Sequence, residues 1–225
     1  MGKTIEGIAT KRGNEIAGRI DAGDSLADFK GQVDVAIEFT QPEAAVKNLK
    51  TCFDKGIPVV CGTTGWGNHQ AEVEAHCKSK NGTLLYSSNF SLGVNIFFKL
   101  NEYLARIMER HSQYEVSIDE THHTQKKDAP SGTAISLANG ILKNISRKHE
   151  WRPGASNDII TLAINSFRID PAPGTHVVKY QSVIDDIEIT HTAHSREGFA
   201  LGAVLVAEWL ADKKGIFTMD DFLKL

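Results

Sequence analysis

The chain has 225 residues, 25 Lys and Arg against 28 Asp and Glu, a formal charge of −3 and 41% hydrophobic residues. That length buries one large core or two small ones, and a mildly acidic body offers neither nucleic acid nor an anionic membrane surface a bulk electrostatic partner. Cys52, Cys61 and Cys77 are odd in number and lack CxxC spacing, which reads as reduced thiols and a cytoplasmic location, and no apolar run is long enough to span a bilayer.

Ile5, Ile8 and Ala9 fall at helical spacing ahead of Gly13, so the chain opens on a helix. "EIAGRID" reads as a short strand ending at Asp21, and "VDVAIEFT" from Val33 to Thr40 as a buried one. Thr40, Pro42 and Glu43 then read as a capping box for a helix that stops at Gly56. "IPVVC" is an apolar strand breaking into the turn Gly62-Thr63-Thr64-Gly65, Gln70 to Lys80 is helical, and "TLLYSSNFS" repeats strand and loop. Strands alternating with helices imply parallel βαβ units, which bind ligands at the carboxyl ends of their strands. A long helix from Leu92 leads into strand-rich sequence, "YEVSIDET", "IITLAINSFR", "GTHVVKYQSVI" and "DIEITHTAHS", with one helix from Ser131 to Asn144. This texture predicts a second, α+β domain on a mixed or antiparallel sheet. The chain closes on an amphipathic helix, "EGFALGAVLVAEWLADKKG", which returns to the first domain. The predicted boundaries are 1–90 with 197–225 for nucleotide binding, and 91–196 for substrate binding and assembly.

From the end of the strand "YEVSIDET" to the start of the helix at Ser131 runs "ETHHTQKKDAPSGT", Glu120 to Thr133. His122 and His123, adjacent on a strand, project to opposite faces and cannot both ligate one metal. Lys126 and Lys127 alone are most simply a solvated loop. Ser131, however, is a good N-cap, and the free amides of Gly132 and Thr133 make an anion site, so that a histidine, a lysine and a helix N-terminus converge. Such a group clamps a carboxylate and delivers a proton.

The stretch "ETHHTQKKDAPSGTA" closely resembles the E-x-H-H-x-x-K-x-D-A-P-S-G-T signature of the 4-hydroxy-tetrahydrodipicolinate reductase (dihydrodipicolinate reductase) family. "FTQPEA", "GTTGW", "SSNFSLGVN" and "HSREGFALGAV" are similar to that family's segments, in the family's order. The resemblance implies NADH- or NADPH-dependent reduction of a small cyclic dicarboxylate in lysine biosynthesis, by a homotetramer of two-domain chains. It makes His122 the general acid/base, Lys126 the proton donor, and His123, Gly132, Thr133 and Arg196 substrate contacts. It places Gly2, Gly62, Thr63, Thr64, Ser87, Ser88, Asn89 and Phe90 along the cofactor, with Asp21 at the adenosine ribose and Arg19 close by for a 2′-phosphate. No metal is implied, and His176, His191 and His194 match no functional position.

Family members open with a strand and a G-x-x-G-x-M-G turn ahead of the first helix, whereas this chain begins "MGKTIEGIA", similar to the last Met-Gly of that turn. Only Gly2 carries over, so the Rossmann-type domain is expected without its first strand and with weakened cofactor binding. Two rivals stay open on the residues alone: an impaired member kept as a binding or oligomerisation module, and another two-domain nicotinamide oxidoreductase.

Overall fold

A computed structural model describes every residue except Asn157, Arg196 and Leu225. The elements run α1 (Gly2–Lys11), β1 (Ala36–Glu38), α2 (Pro42–Asp54), β2 (Val59–Cys61), α3 (Gln70–Ser79), β3 (Thr83–Tyr86), α4 (Leu92–Met108) and β4 (Glu115–His122). They continue as α5 (Gly132–Asn144), β5 (Glu150–Pro153), β6 (Thr161–Arg168), β7 (Gly174–Gln181), β8 (Asp186–Ala193), α6 (Glu197–Leu210), β9 (Gly215–Phe217) and α7 (Met219–Leu223). Two compact units result, Met1–Leu92 with Glu197–Leu225, and Gly93–Arg196.

The first unit is an all-parallel sheet in the order β1-β2-β3-β9. "VVC" and "TLLY" do not alternate in polarity because both faces are covered. Val60 and Leu85 pack on α1 and α6 through Ile5, Ala9, Ala203 and Val206, and Val59, Cys61 and Leu84 pack on α2 and α3 through Leu49, Phe53, Val73 and Cys77. All three cysteines are free and buried here. At Gly202 the helix α6 comes so close that a Cβ would lie 1.7 Å from the Phe90 carbonyl oxygen.

Three expectations for this unit are corrected. "EIAGRID" forms no strand, because a strand exists only where its amides and carbonyls find a ladder, and β1 is hydrogen-bonded to β2 alone. Arg19 there instead donates to Glu6 of α1 through Nε and Nη2, at 2.7 and 2.5 Å. The strand expected over Val33 to Thr40 is limited to the three residues that β2 can pair. The capping box at Thr40 is not made: Gln41 is the N-cap of α2, and the Thr40 hydroxyl donates to Glu38. The short elements β5, β9 and α7 were not expected; they are too brief to show a period.

The second unit is a mixed sheet in the order β5-β6-β4-β7-β8, with β4 parallel to β6 and antiparallel to β7. One face carries Val116, Ile118, Leu162, Ile164, Val178 and Tyr180 against Phe97 and Ala105 of α4 and Ala134, Leu137 and Ile141 of α5. The apolar surface of these strands is therefore consumed within the unit on this face, whereas Phe167 and Ile187 remain exposed in the single chain. On the other face, Asn165 donates to Asp119 at 2.8 Å, and Lys179 lies 2.9 Å from Asp119 and 3.6 Å from Glu188.

Candidate active site

Residues two apart on a strand share a face, so Glu120 and His122 at the end of β4 point the same way as Ile118, toward the helices. Register supplies their neighbours: Glu120 pairs with His176 of β7, and His122 pairs with Arg168 of β6. Glu120 is fully buried, and His122 and His176 are nearly so. The chain then turns through Thr124, whose amide and hydroxyl bind Asp170 at 3.0 and 2.6 Å, and reaches the start of α5. Ser131 is the N-cap predicted from sequence, its Oγ accepting from the Ala134 amide at 3.2 Å.

Glu120 is the hub. Its Oε1 accepts from the Ser131 amide at 3.2 Å and from Arg168 Nη2 at 3.0 Å, and its Oε2 lies 2.8 Å from His122 Nδ1. That last approach lies off the ring N–H axis and is not an aligned hydrogen bond. Burial alone would raise the Glu120 pKa, but contacts with His122, Ser131, Ser166 and Arg168 outweigh it and hold the carboxyl well below the usual range. His176 Nε2 sits 3.0 Å from Ser131 Oγ and 4.0 Å from Glu120 Oε2, with its ring edge-on to His122 at 5.1 Å. Burial first, then the neighbouring His122, pushes its imidazole down to about 4, so His176 is neutral.

Among the described residues, Glu120, His122 and His176 hold ligand atoms within 4.8 Å of one another. Arg168 and Ser131 already occupy one carboxylate oxygen, and the guanidinium supplies the positive charge a metal would bring, so the residues do not ask for an ion.

Arg168 also staples the loop that carries Lys126. Nη2 donates to the Asp128 carbonyl at 2.6 Å and Nε to the Lys126 carbonyl at 3.4 Å. The Lys126 ammonium contacts both Asp128 carboxylate oxygens at 2.8 Å and holds that carboxyl below the usual range. His123 accepts the Lys126 amide through its carbonyl at 3.1 Å. Gly132 and Thr133 form the first turn of α5, where the amides have no carbonyl four residues back, and a Cβ at Gly132 would meet nothing within 4 Å. His122, Lys126, Gly132 and Thr133 thus belong to one end of the second unit. Sequence reasoning missed Glu120, Arg168 and His176 as working parts. His191 lines the same sheet face, 6.0 Å from the Phe97 ring, and His194 is exposed. Arg196 lies outside the described residues.

The predicted cofactor residues gather at the carboxyl edge of the parallel sheet, where doubly wound sheets bind nucleotides. Thr64 and Ser88 are exposed there. Ser87 Oγ accepts the Asn89 amide at 3.1 Å, a loop that keeps the edge open. Thr63 is buried, and its hydroxyl accepts the Thr40 amide at 2.7 Å. Phe90 is core, its ring centroid 5.7 Å from that of Phe39, and Gly62 is small because a Cβ would lie 2.2 Å from the Phe39 ring. Gly2 begins α1, with room around its Cα. Asp21 is exposed, with its amide bound to Asp24 at 2.9 Å. This edge presents Thr64, Ser87, Ser88 and Asn89, with the buried Thr63 and Phe90 and the half-buried Gly62 beneath.

Comparison with known proteins gives two family matches: "Dihydrodipicolinate reductase, N-terminus" over residues 2–90 and "Dihydrodipicolinate reductase, C-terminus" over residues 93–223. A 4-hydroxy-tetrahydrodipicolinate reductase of Christiangramia forsetii is 50% identical, the alignment covering 99% of this chain and 93% of the relative. One from Archaeoglobus fulgidus is 40% identical, covering 95% and 86%. The dipicolinate-bound dihydrodipicolinate reductase structure from Paenisporosarcina sp. TG-14 shares the fold at a TM-score of 0.76 with 20% identity, over 96% of this chain and 92% of that one.

Proposed function

The chain belongs to the dihydrodipicolinate reductase family, and on that premise we propose that the Glu120–His122–Lys126–Ser131 end of the second unit is its active site. The reaction is the NADH- or NADPH-dependent reduction of 4-hydroxy-tetrahydrodipicolinate, in the biosynthesis of diaminopimelate and lysine. The observation that carries the site is the convergence of a buried histidine and a helix N-terminus on one buried carboxylate, which Arg168 ties to the loop that carries Lys126.

The substrate is a ring with two carboxylates, so its site needs cationic and N–H donors and a proton source. The Gly132 and Thr133 amides at the α5 N-terminus receive one carboxylate, adding the helix dipole to two oriented N–H groups. Lys126 supplies charge and the proton, leaving Asp128 for the substrate; His122 exchanges protons at Nε2, and His123 and Arg196 contact the substrate. A bound nicotinamide supplies the hydride, and Thr64, Ser87, Ser88 and Asn89 hold the cofactor, with Gly2 and Asp21 toward the pyrophosphate and ribose ends. Nothing in the residue set favours NADPH over NADH: Arg19 is paired with Glu6. The enzyme works in the cytoplasm, as a homotetramer built on the mixed sheets.

Loss of NADH absorbance with freshly made substrate tests the reading. Lys126→Ala and His122→Ala should each lower kcat by about 10²–10⁴-fold, while NADH affinity, measured by calorimetry, is unchanged. Loss of nucleotide binding by either folded variant, or turnover near that of the unsubstituted chain, would refute it.

A further inference from the structure

We infer that Glu120 is a positioning residue for this reaction, one carboxylate that sets the His122 tautomer with one oxygen and the anion-receiving turn with the other. The inference rests on the role of His122 given above and extends it to a residue that touches no substrate.

A fully buried carboxylate is costly unless it is paired, and it is kept where its geometry is needed. Here Oε1 is bound by the Ser131 amide and Arg168, and Oε2 faces His122 Nδ1 at 2.8 Å. An imidazole nitrogen that faces a carboxylate carries the proton, which fixes the other nitrogen as the exchanging atom. That other nitrogen is His122 Nε2. Gly174 lets that nitrogen pack close to β7, since a Cβ there would stand 3.1 Å from it. His176 does not compete for Glu120, since its Nε2 is engaged with Ser131 Oγ at 3.0 Å. The Ser131 side chain meanwhile caps α5 through the Ala134 amide, and its backbone amide is held by Glu120. Any displacement of the carboxylate therefore disturbs the proton-exchanging ring and the start of the anion-binding helix together. The oblique contact to Nδ1 is of the kind that tightens when substrate binds.

The test uses the full chain and its Glu120→Gln and Glu120→Asp variants, with nitrogen-15 spectra of the imidazoles assigned by loss of the His122 signals in His122→Ala. The unsubstituted chain should show His122 protonated at Nδ1 when neutral. Glu120→Gln should shift the ring toward the Nε2-protonated tautomer and lower kcat by about 10–100-fold, with NADH affinity unchanged and KM for the dicarboxylate raised. Glu120→Asp should restore the tautomer and part of kcat. An unchanged His122 tautomer in Glu120→Gln, or a kcat within about twofold of the parent, overturns the inference. Should Glu120→Gln fail to fold, the parent spectrum decides: a His122 protonated at Nε2 overturns the inference and one protonated at Nδ1 supports it. If His122→Ala keeps full turnover, the acid/base reading falls by itself, and the tautomer measurement still judges Glu120.

Discussion

Replacing His176 with glutamine removes a titrating group from the centre of the site while leaving an amide to reach Ser131. In the parent chain His176 is 4% exposed, with a pKa lowered from 6.5 to about 4 by burial and by His122. The unfolded chain therefore binds a proton in this window that the folded chain refuses, and stability falls as pH drops from 6.5 toward 4. At 1.36 kcal/mol per pKa unit the loss is about 2 kcal/mol by pH 5 and about 3 kcal/mol by pH 4. Glu120 has the opposite starting charge but the same final direction: its depressed pKa gives stability that is full above the ordinary carboxylate value of 4.5 and is lost as pH falls through the folded value. The interval from pH 7.5 to 5 thus isolates the histidines, and His191, also lowered by burial, contributes equally to parent and variant. Hydrogen-exchange protection of the Val116, Ile118 and Val178 amides follows the second unit alone. From pH 7.5 to 5, after correction for intrinsic exchange, His176→Gln should lose about 2 kcal/mol less protection free energy than the parent. Equal losses in the two proteins would refute a neutral, buried His176.

Gly202→Ala should destabilise the first unit by about 3 kcal/mol or more, because its Cβ would fall 1.7 Å from a backbone oxygen that cannot step aside; denaturant titration followed by Trp209 fluorescence measures it. Light scattering at micromolar concentration should give the mass of four chains, and a single-chain mass would count against assembly through the mixed sheets.

Much of this was legible in the sequence because continuous apolar runs mark the strands of a covered parallel sheet, alternation marks those of the mixed sheet, and a capped helix announces its start. Ser131, the strand ending at His122 and the turn after Cys61 all follow from local chemistry. Glu120, Arg168 and His176 were hidden for the opposite reason. Their roles come from register, which sets Glu120 beside His176 and His122 beside Arg168 across gaps of about fifty residues. The one sequence signal was the spacing of two between Glu120 and His122, which puts carboxylate and imidazole on one face. "EIAGRID" misled because strand-like composition says nothing about whether a neighbour is present to pair.

The placement of the thiols gives the molecule a one-sided chemical clock. Cys52, Cys61 and Cys77 all lie in the first unit. Burial pushes Cys52 up to about 12 and raises Cys61 and Cys77 as well, so the folded unit presents almost no thiolate, the form that alkylating reagents attack. Modification then proceeds only as fast as the nucleotide-binding unit opens, and a bound dinucleotide slows it in proportion to the closed state it stabilises. The second unit, having no cysteine, stays silent in the same reaction vessel.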